Sequence, residues 1–320
     1  MRINEQELMP YPGFENHVAV TLHTDESSRA DREAFRREIR ACRMAEGTRM
    51  RDIQIPGTHP GESIRLRVVR PAGFCPGMPV IMDIHGGGFS SGSLDIDNQR
   101  CVTLAELSGC LVVSVDYRLV SEQVHFPEPL LDCWTAFHWL REHAGELEGD
   151  PERIGIHGTS AGGCLSAGLA LYLRDRGEKA PALTVLSCPT LDNVNTPSKI
   201  RYGQLKSGEN PYPQIGYVMY ANLNSGQLPP YYALPGRCED LRKLGPHMVV
   251  VAEYDPLRDE GLRYALRLLE NGVPCELLSA PRVAHGFCAM PHPLTEWVHR
   301  GIAASFRREF GLPVGDILSE

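Results

Sequence analysis

A serine in a glycine-rich segment is the residue of this sequence best suited to act as a nucleophile. Ser160 is the central residue of the segment 158–162, which reads GTSAG and matches the pattern GxSxG. The segment follows an apolar run at 154–157 and precedes a run compatible with a helix, which is the context that this pattern requires. On such a tight turn, Gly158 and Gly162 let the neighbouring chains approach and leave the serine hydroxyl exposed. We therefore predict that Ser160 is a nucleophile, the alternative being a structural serine in a glycine turn.

A second glycine-rich segment, 85–89, reads HGGGF and follows an apolar strand predicted at 79–84. Three consecutive glycines allow bare backbone N–H groups to point into a cavity. In acyl transfer such groups bind the oxyanion of a tetrahedral intermediate, and loss of one donor costs roughly a hundredfold to a thousandfold in rate. Phosphate binding is the rival use of glycine loops, but neither GxxxxGK[ST] nor GxGxxG occurs in the sequence. We interpret His85 itself as a structural support rather than a base.

A serine hydroxyl needs an imidazole to accept its proton and a carboxylate to orient that imidazole. When the serine lies on a strand-to-helix turn, the three residues follow one another as serine, acid and histidine. Of the 12 histidines, only His285, His292 and His299 come late enough in the chain. His299 falls inside the last predicted helix and His292 lies between two prolines, whereas His285 follows a predicted strand at 275–279 by a short loop. We therefore predict His285 as the base.

The acid is predicted among the carboxylates that follow the apolar strand at 248–252. Asp255 is the preferred candidate because it lies on the loop after the strand and a proline fixes the turn behind it. Asp259 and Glu260 are typical of the first turn of the next helix. Glu253 and Asp259 remain as alternatives for the acid.

Short β-like and helix-like runs alternate from about residue 51 onward and indicate the elements that position these residues. A leading hairpin is predicted at 51–55 and 64–69. Six continuous apolar runs, typical of strands buried on both faces, follow at 79–84, 111–115, 154–157, 183–187, 248–252 and 275–279. Helix-compatible runs lie at 97–108, 129–143, 161–175, 259–271 and 294–309. This pattern predicts an α/β fold with a mostly parallel, doubly wound sheet of eight strands.

Two segments do not fit the simple alternation. Residues 27–46 show the spacing of a capped amphipathic helix ahead of the first strand. The gap between the strands ending at 187 and beginning at 248 is far longer than a normal crossover and is rich in tyrosine and proline. We interpret this gap as an insertion that covers the carboxyl edge of the sheet and forms a lid with the N-terminal helix. The alternative is an excursion without function.

Composition excludes several classes of protein. The 320 residues are 42% hydrophobic and 22% charged, which is typical of a globular chain, and the formal net charge is −8. No long basic run supports binding to nucleic acid or an anionic membrane. The ten cysteines contain no CxxC, so zinc and dithiol redox sites are not indicated. The polar start at 1–14 and the lack of a membrane-length apolar run predict a cytoplasmic protein with reduced thiols.

Together these segments resemble the bacterial hormone-sensitive-lipase-like esterases, a branch of the α/β-hydrolase fold. The resemblance extends over most of the chain. It is carried by HGGGF at 85–89, DYRL at 116–119, HFP at 125–127, GTSAGG at 158–163, RCEDLRKL at 237–244, DPLRDE at 255–260, GVP at 272–274 and HGF at 285–287.

The resemblance implies roles for residues of these motifs. It implies a catalytic triad of Ser160, Asp255 and His285. The oxyanion hole that it implies consists of the backbone N–H groups of Gly86, Gly87 and Ala161. The residues that support the two glycine motifs are His85, Gly88, Gly158 and Gly162. It also implies a catalytic core at 51–191 and 237–320 and a cap made from 1–50 and 192–236.

Some positions depart from the commoner pattern of these esterases. Thr159 replaces an aspartate but agrees with the GTSAG branch. Cys164 stands where many members carry asparagine, and Arg282 where many carry glycine, so the local loop packing should differ. We interpret Asp116 and Arg118 as structural residues behind the glycine loop.

The activity that the resemblance implies is hydrolysis of short-to-medium acyl esters through an acyl-enzyme on Ser160. The expected substrate is a small-molecule ester, and the mechanism requires no metal and no organic cofactor. Nucleic acid and stable membrane association are not expected, and a homodimer is suggested by family analogy alone. The alternatives are an amidase, arylformamidase or deacetylase on the same triad, and a non-catalytic receptor on this fold.

Overall fold

One mixed sheet organises the fold. The computed structural model describes residues 8–22, 42–203 and 228–318. The strands found there are β1 (Arg49–Pro56), β2 (Ser63–Arg70), β3 (Met78–Ile84), β4 (Leu111–Val115), β5 (Gly149–Thr159), β6 (Thr184–Ser187), β7 (His247–Ala252) and β8 (Cys275–Ala280). Their order across the sheet is β1-β2-β4-β3-β5-β6-β7-β8. β2 is antiparallel to β1 and β4, while β3 to β8 run parallel, which confirms the predicted fold class.

Helices cover both faces of the sheet. Those in the described residues are α1 (Glu15–Leu22), α2 (Asn98–Ser108), α3 (Glu128–His143), α4 (Ala161–Asp175), α5 (Pro197–Gly203), α6 (Arg258–Glu270) and α7 (Pro293–Glu309). One hydrophobic core lies between the sheet and α3, α4 and α6, and the other between the sheet and α1, α2 and α7. None of these helices is both long enough and apolar enough to cross a lipid bilayer.

The central strands lack a polar face because helices cover them on both sides. All five residues of β4 and all six of β7 are buried. Full burial of one valine, leucine or isoleucine side chain contributes about 1.5–3 kcal/mol, so these runs are a main source of stability. β5 begins at Gly149 rather than at 154, since Gly149 and Asp150 already pair with Met78 and Pro79 before a register shift.

The N-terminal region differs from its prediction. α1 was not expected, because the sequence ENHVAVTL is short and rich in β-branched residues. It forms where Val18 and Leu22 pack into the core beside Phe14. Most of the amphipathic helix expected at 27–46 lies outside the described residues. Its last residues, 42–46, are not helical, and α2 binds their backbone: Gln99 accepts from Arg43 N–H, and Glu106 accepts from Ala45 N–H.

Candidate active site

The nucleophile candidate Ser160 lies at the junction of β5 and α4. Its backbone has φ +56° and ψ −114°, outside the helical and extended regions. The Ser160 N–H donates to the carbonyl of Ser187 at 2.9 Å, and its carbonyl accepts from Cys164 at 3.1 Å and Thr190 at 3.2 Å. Such strain costs about 1–3 kcal/mol and persists only where the surroundings impose it. These three bonds hold Ser160 at the carboxyl edge of the sheet.

Two glycines leave room for the backbone that packs around this turn. A Cβ on Gly162 would lie 2.0 Å from the carbonyl oxygen of Ile84, the last residue of β3. A Cβ on Gly158 would lie 2.2 Å from the carbonyl oxygen of Gly162 and from Oγ of Ser166. The start of α4 is therefore packed directly against the end of β3, where the glycine loop begins.

His285 and Asp255 complete a hydrogen-bonded chain with Ser160. His285 Nε2 lies 3.0 Å from Ser160 Oγ, and its Nδ1 lies 2.7 Å from Asp255 Oδ2. Asp255 Oδ1 accepts the N–H of Leu257 at 2.8 Å. The Asp255 side chain is 0% exposed and that of His285 is 19% exposed. With its Nδ1–H directed at the carboxylate, the imidazole presents Nε2 to accept the proton of the serine hydroxyl.

The two alternative acids are engaged elsewhere. Glu253 Oε2 accepts the N–H of Arg282 at 2.8 Å. Asp259 Oδ2 accepts the N–H of Ser198 at 2.8 Å, and its other oxygen binds the neighbouring guanidinium. The structure therefore brings Asp255 to His285 and holds the other two carboxylates in local contacts.

The glycine loop after β3 passes beside the nucleophile. A Cβ on Gly86 would lie 3.3 Å from Ser160 Cβ and 3.0 Å from the carbonyl oxygen of Thr159. Ala161 is the first residue of α4, so its N–H has no partner within the helix. In the part of the chain that the structure describes, the N–H groups of Gly86, Gly87 and Ala161 donate to no other backbone group. These are the donors that an oxyanion at Ser160 would need.

Side chains fix the shape of this loop. Ser91 donates to the carbonyl of Gly87 from its N–H at 3.0 Å and from its Oγ at 2.6 Å. His85 Nδ1 lies 2.8 Å from the carbonyl oxygen of Gly86, and the ring stacks on Tyr117 with centroids 4.3 Å apart. The Tyr117 hydroxyl donates to the carbonyl of His85 at 2.9 Å. His85 is thus buried inside the loop that it supports.

Cys188 is a neighbour of the triad that the sequence analysis missed. Its sulfur, a carboxylate oxygen of Asp255 and a ring nitrogen of His285 all lie within 4.8 Å of one another. Burial raises the pKa of the Cys188 thiol well above its usual range, and the nearby Asp255 raises it further, so the thiol stays protonated beside that carboxylate. The signal for it was its place directly after β6, at the edge of the sheet where the carboxyl ends of parallel strands meet.

His17 on α1 is a second neighbour that was missed. It is 3% exposed and hydrogen bonds to the backbone of His285. Burial, together with the charge of His285, lowers the pKa of His17 to about 4. It is therefore neutral at pH 7 and adds no positive charge beside the catalytic base candidate. The polar appearance of the first residues gave no sign of this contact.

Asp116 and Arg118 are engaged in ion pairs with residues outside the triad. Asp116 accepts from Arg65 at 2.9 Å. Arg118 binds Asp132 at 2.7 Å and Glu62 at 3.1 Å. These contacts favour a structural role for both residues.

Two of the departures from the commoner pattern, Cys164 and Arg282, have local explanations. The buried thiol of Cys164 donates to the carbonyl of Ala233 at 3.3 Å, so it ties α4 to the end of the insertion. Arg282 has φ +57°, a conformation that favours glycine. Its guanidinium lies 5.1 Å from the ring centroid of Tyr11, and the Tyr11 N–H donates to its carbonyl at 2.9 Å. The N-terminal segment thus packs on the loop that carries His285.

Among the described residues, the side chains grouped closely enough to hold a metal ion are those of Cys188, Asp255 and His285. Asp255 and His285 are already bonded to each other and to Ser160 and Leu257. The donor atoms of this group are therefore committed to the hydrogen-bonded chain itself.

A buried carboxylate, an imidazole and a serine on a strand-to-helix turn, joined by hydrogen bonds, define a serine hydrolase of the α/β type. The chain belongs to the α/β-hydrolase fold family, whose model matches residues 81–289. The resemblance to hormone-sensitive-lipase-like esterases that the motifs indicated is confirmed.

The relatives are named as esterases. The chain is 34% identical to the esterase LipI of Mycobacterium tuberculosis over 80% of this chain and 81% of that protein. It is 36% identical to an arylesterase of Saccharolobus solfataricus over 66% and 69% of the two chains. Among solved structures, a bacterial heroin esterase superposes with a TM-score of 0.80 at 33% identity and covers 92% of this chain and 97% of that one.

Proposed function

We propose that this protein is a serine carboxylesterase that hydrolyses short-to-medium acyl esters of small molecules. The observation that carries the proposal is the placement of His285 between Ser160 Oγ at 3.0 Å and Asp255 Oδ2 at 2.7 Å. A receptor on this fold has no need of a base within hydrogen-bond distance of the serine. The complete set of hydrogen bonds from Ser160 through His285 to Asp255 therefore favours an enzyme.

Acylation uses each of these groups once. Ser160 Oγ attacks the ester carbonyl carbon while its proton passes to Nε2 of His285, and Asp255 stabilises the imidazolium. The carbonyl oxygen becomes an oxyanion held by the N–H groups of Gly86, Gly87 and Ala161. The tetrahedral intermediate then collapses, the C–O bond to the alcohol breaks, and the alkoxide leaves with the proton from Nε2.

Deacylation repeats the sequence with water. The water oxygen attacks the acyl carbon while His285 accepts a proton from that water, and the same N–H groups hold the second oxyanion. Breakage of the bond to Ser160 Oγ returns the proton from Nε2 to the serine. The products are a carboxylic acid and the free enzyme, and no metal or organic cofactor enters either step.

Two segments support a cap over the acyl site. The Tyr254 hydroxyl donates to the carbonyl of Met9 at 3.2 Å, so the N-terminal segment reaches the residue before Asp255. Tyr202 on α5, within the insertion, packs on Tyr254 with ring centroids 5.8 Å apart. One residue from each part of the expected cap, Met9 from 1–50 and Tyr202 from 192–236, thus contacts Tyr254 beside the acid, which supports the cap; 204–227 lies outside the described residues.

Ester hydrolysis is preferred over amide or acetyl-sugar hydrolysis because the relatives are esterases. One of them, an ethyl acetate hydrolase of Pseudomonas putida, is 34% identical over 73% of this chain, which supports small acyl groups. A homodimer and a cytoplasmic location remain predictions from the sequence.

The test is intact-mass labelling with a fluorophosphonate, together with hydrolysis of p-nitrophenyl acetate, butyrate and octanoate. We expect one adduct per chain and ester hydrolysis in the wild type, and loss of both in Ser160→Ala. Ser279→Ala, which removes an exposed hydroxyl from β8, is the matched control and should keep both. A wild-type chain that takes no label and cleaves none of the three esters contradicts the proposal and favours the receptor.

A further inference from the structure

A second hydrogen-bonded series of an aspartate, a histidine and a serine lies buried in the sheet behind the candidate active site. His157 Nδ1 lies 2.7 Å from Asp83 Oδ1, and its Nε2 lies 3.0 Å from Ser187 Oγ. Asp83 is on β3, His157 on β5 and Ser187 on β6, and all three are at most 1% exposed. No substrate can reach this buried series, so it does not perform the reaction itself.

The charges around Asp83 fix the direction of every hydrogen bond in the buried series. Burial alone would raise the pKa of Asp83, but the charge of Arg100, at 3.0 Å and 3.1 Å, and the hydrogen bonds from His157 and Cys101 together lower it and keep the group ionised. Burial lowers the pKa of His157, so its imidazole is neutral. Nδ1–H therefore donates to the Asp83 carboxylate, and Nε2 accepts the hydroxyl hydrogen of Ser187.

Ser187 and the next residue connect this buried series to both ends of the triad. The carbonyl of Ser187 accepts the N–H of Ser160 at 2.9 Å. Cys188 follows with φ +46°, donates its N–H to the carbonyl of Val250 at 2.7 Å, and places its thiol against Asp255. The end of β6 thus contacts the nucleophile through its backbone and the acid through its side chain.

We propose that His157 and Ser187 are positioning residues for ester hydrolysis. By holding the hydroxyl of Ser187, the buried imidazole fixes the end of β6 and, through the Ser187 carbonyl, the strained backbone of Ser160. This inference rests on the proposed function. A buried ionic group among apolar strands is costly to desolvate and is often no more stable than hydrophobic residues of similar volume. Stability therefore does not explain why ionic and polar groups are buried here, whereas a role in positioning the nucleophile does.

Ser187→Ala tests the connection directly, because it removes the hydroxyl and keeps the backbone carbonyl. We expect kcat to fall about tenfold with KM unchanged, since a small displacement of a reacting group is enough for such a loss. The rate of labelling by a fluorophosphonate should fall by the same factor. Ser114→Ala is the matched control: Ser114 Oγ donates to the same carboxylate of Asp83 at 3.2 Å but lies on β4, away from β6.

Two amide variants of His157 separate positioning from stability. The amide of His157→Asn can reach Asp83 in place of Nδ1 but not Ser187, whereas the longer amide of His157→Gln can reach Ser187 in place of Nε2. We expect His157→Asn to lose about tenfold in kcat and His157→Gln to stay within about threefold of the wild type. Thermal unfolding should rank them in the opposite order, because His157→Gln leaves the buried carboxylate of Asp83 short of a donor.

The possible results are distinct. An active wild type whose Ser187→Ala and His157→Asn variants keep full kcat contradicts this inference and leaves the esterase proposal intact. Loss of kcat that follows the melting temperature across all four variants, Ser114→Ala included, also contradicts it. A wild type without label or ester hydrolysis overturns the proposed function and this inference with it.

Discussion

The three candidates for the acid that orients His285 differ clearly in their burial and in their hydrogen-bond partners. Asp255 is fully buried and bonded to the imidazole, while Glu253 and Asp259 bind backbone N–H groups. We predict that Asp255→Asn lowers kcat for p-nitrophenyl butyrate by roughly a thousandfold to ten-thousandfold, because the amide favours the wrong tautomer of the histidine. Glu253→Gln should stay within about threefold of the wild type. Comparable losses in both variants would show that the acid is not unique.

Spacing alone was enough to select Ser160 and His285, because a strand-to-helix turn and a strand-end loop leave local signals in the sequence. It favoured Asp255 as the acid without excluding Glu253 and Asp259, since several carboxylates follow the same strand and only the packed loop decides among them. Cys188, Ser187 and His17 were not found at all. Their contacts run between strands or from the N-terminal segment, and no local pattern encodes contacts of that kind.

The buried ion pair between α5 and α6 anchors the start of the insertion. Lys199 Nζ lies 2.9 Å from Glu260 Oε2, and the side chains are 4% and 3% exposed. The same carboxylate accepts the N–H of Asp192 at 3.0 Å. Because α6 begins three residues after Asp255, this pair ties the insertion to the element that follows the acid.

The pair predicts a pH dependence of stability. Burial raises the pKa of Glu260 from its ordinary value of 4.5 to about 7, with Lys199 opposing the shift. Between these values the unfolded chain is ionised and the folded chain keeps the proton, so the contribution of Glu260 lowers the free energy of unfolding as pH rises. The change is at most about 3 kcal/mol and ends near pH 7.

Urea unfolding at pH 5, 6, 7 and 8 measures this change. Glu260→Gln lacks the titration, so we expect it to gain stability relative to the wild type between pH 5 and pH 7 and to run parallel above that. Glu239→Gln, at an exposed carboxylate, is the control and should follow the wild type throughout. Parallel curves for Glu260→Gln over the whole range would refute the assignment.

The apolar strands β4 and β7 were predicted almost to the residue, whereas β5 begins five residues before its predicted start and α1 was not predicted. β4 and β7 are buried on both faces, so their composition alone specifies them. α1 has eight residues and poor intrinsic propensity, and the packing of Val18 and Leu22 into the core decides its conformation. Tertiary contacts of this kind are not visible in a short window of sequence.

At the scale of the whole molecule, the parallel sheet brings distant segments together. Ser160 follows β5, Asp255 follows β7 and His285 follows β8, and the carboxyl ends of these strands lie at one edge. Ser160 and His285 are 125 residues apart in the chain but 3.0 Å apart in space. The sheet topology therefore supplies the geometry of the candidate active site.

The sheet ends at β8, which pairs with β7 on its inner side. Glu276 of β8 binds Ser305 on α7, so Leu277 points to the opposite face, beside α6. Leu277 on β8 and Leu266 and Leu269 on α6 are 49%, 57% and 52% exposed, and within the described residues no strand pairs with the outer side of β8. Such an edge is normally protected by charge or by pairing, which favours the homodimer suggested by family analogy.

Multi-angle light scattering after size exclusion tests this assembly. We predict a wild-type mass of two chains and a shift toward one chain in Leu277→Asp, since a carboxylate at the contact would be desolvated without a partner. Met44→Asp is the matched control: Met44 is 45% exposed and precedes β1, at the opposite edge of the sheet, so its substitution should leave the mass unchanged. Ester hydrolysis should survive in both variants, because the triad comes from one chain. A monomeric wild type, or equal dissociation in both variants, would show that β8 is not the interface.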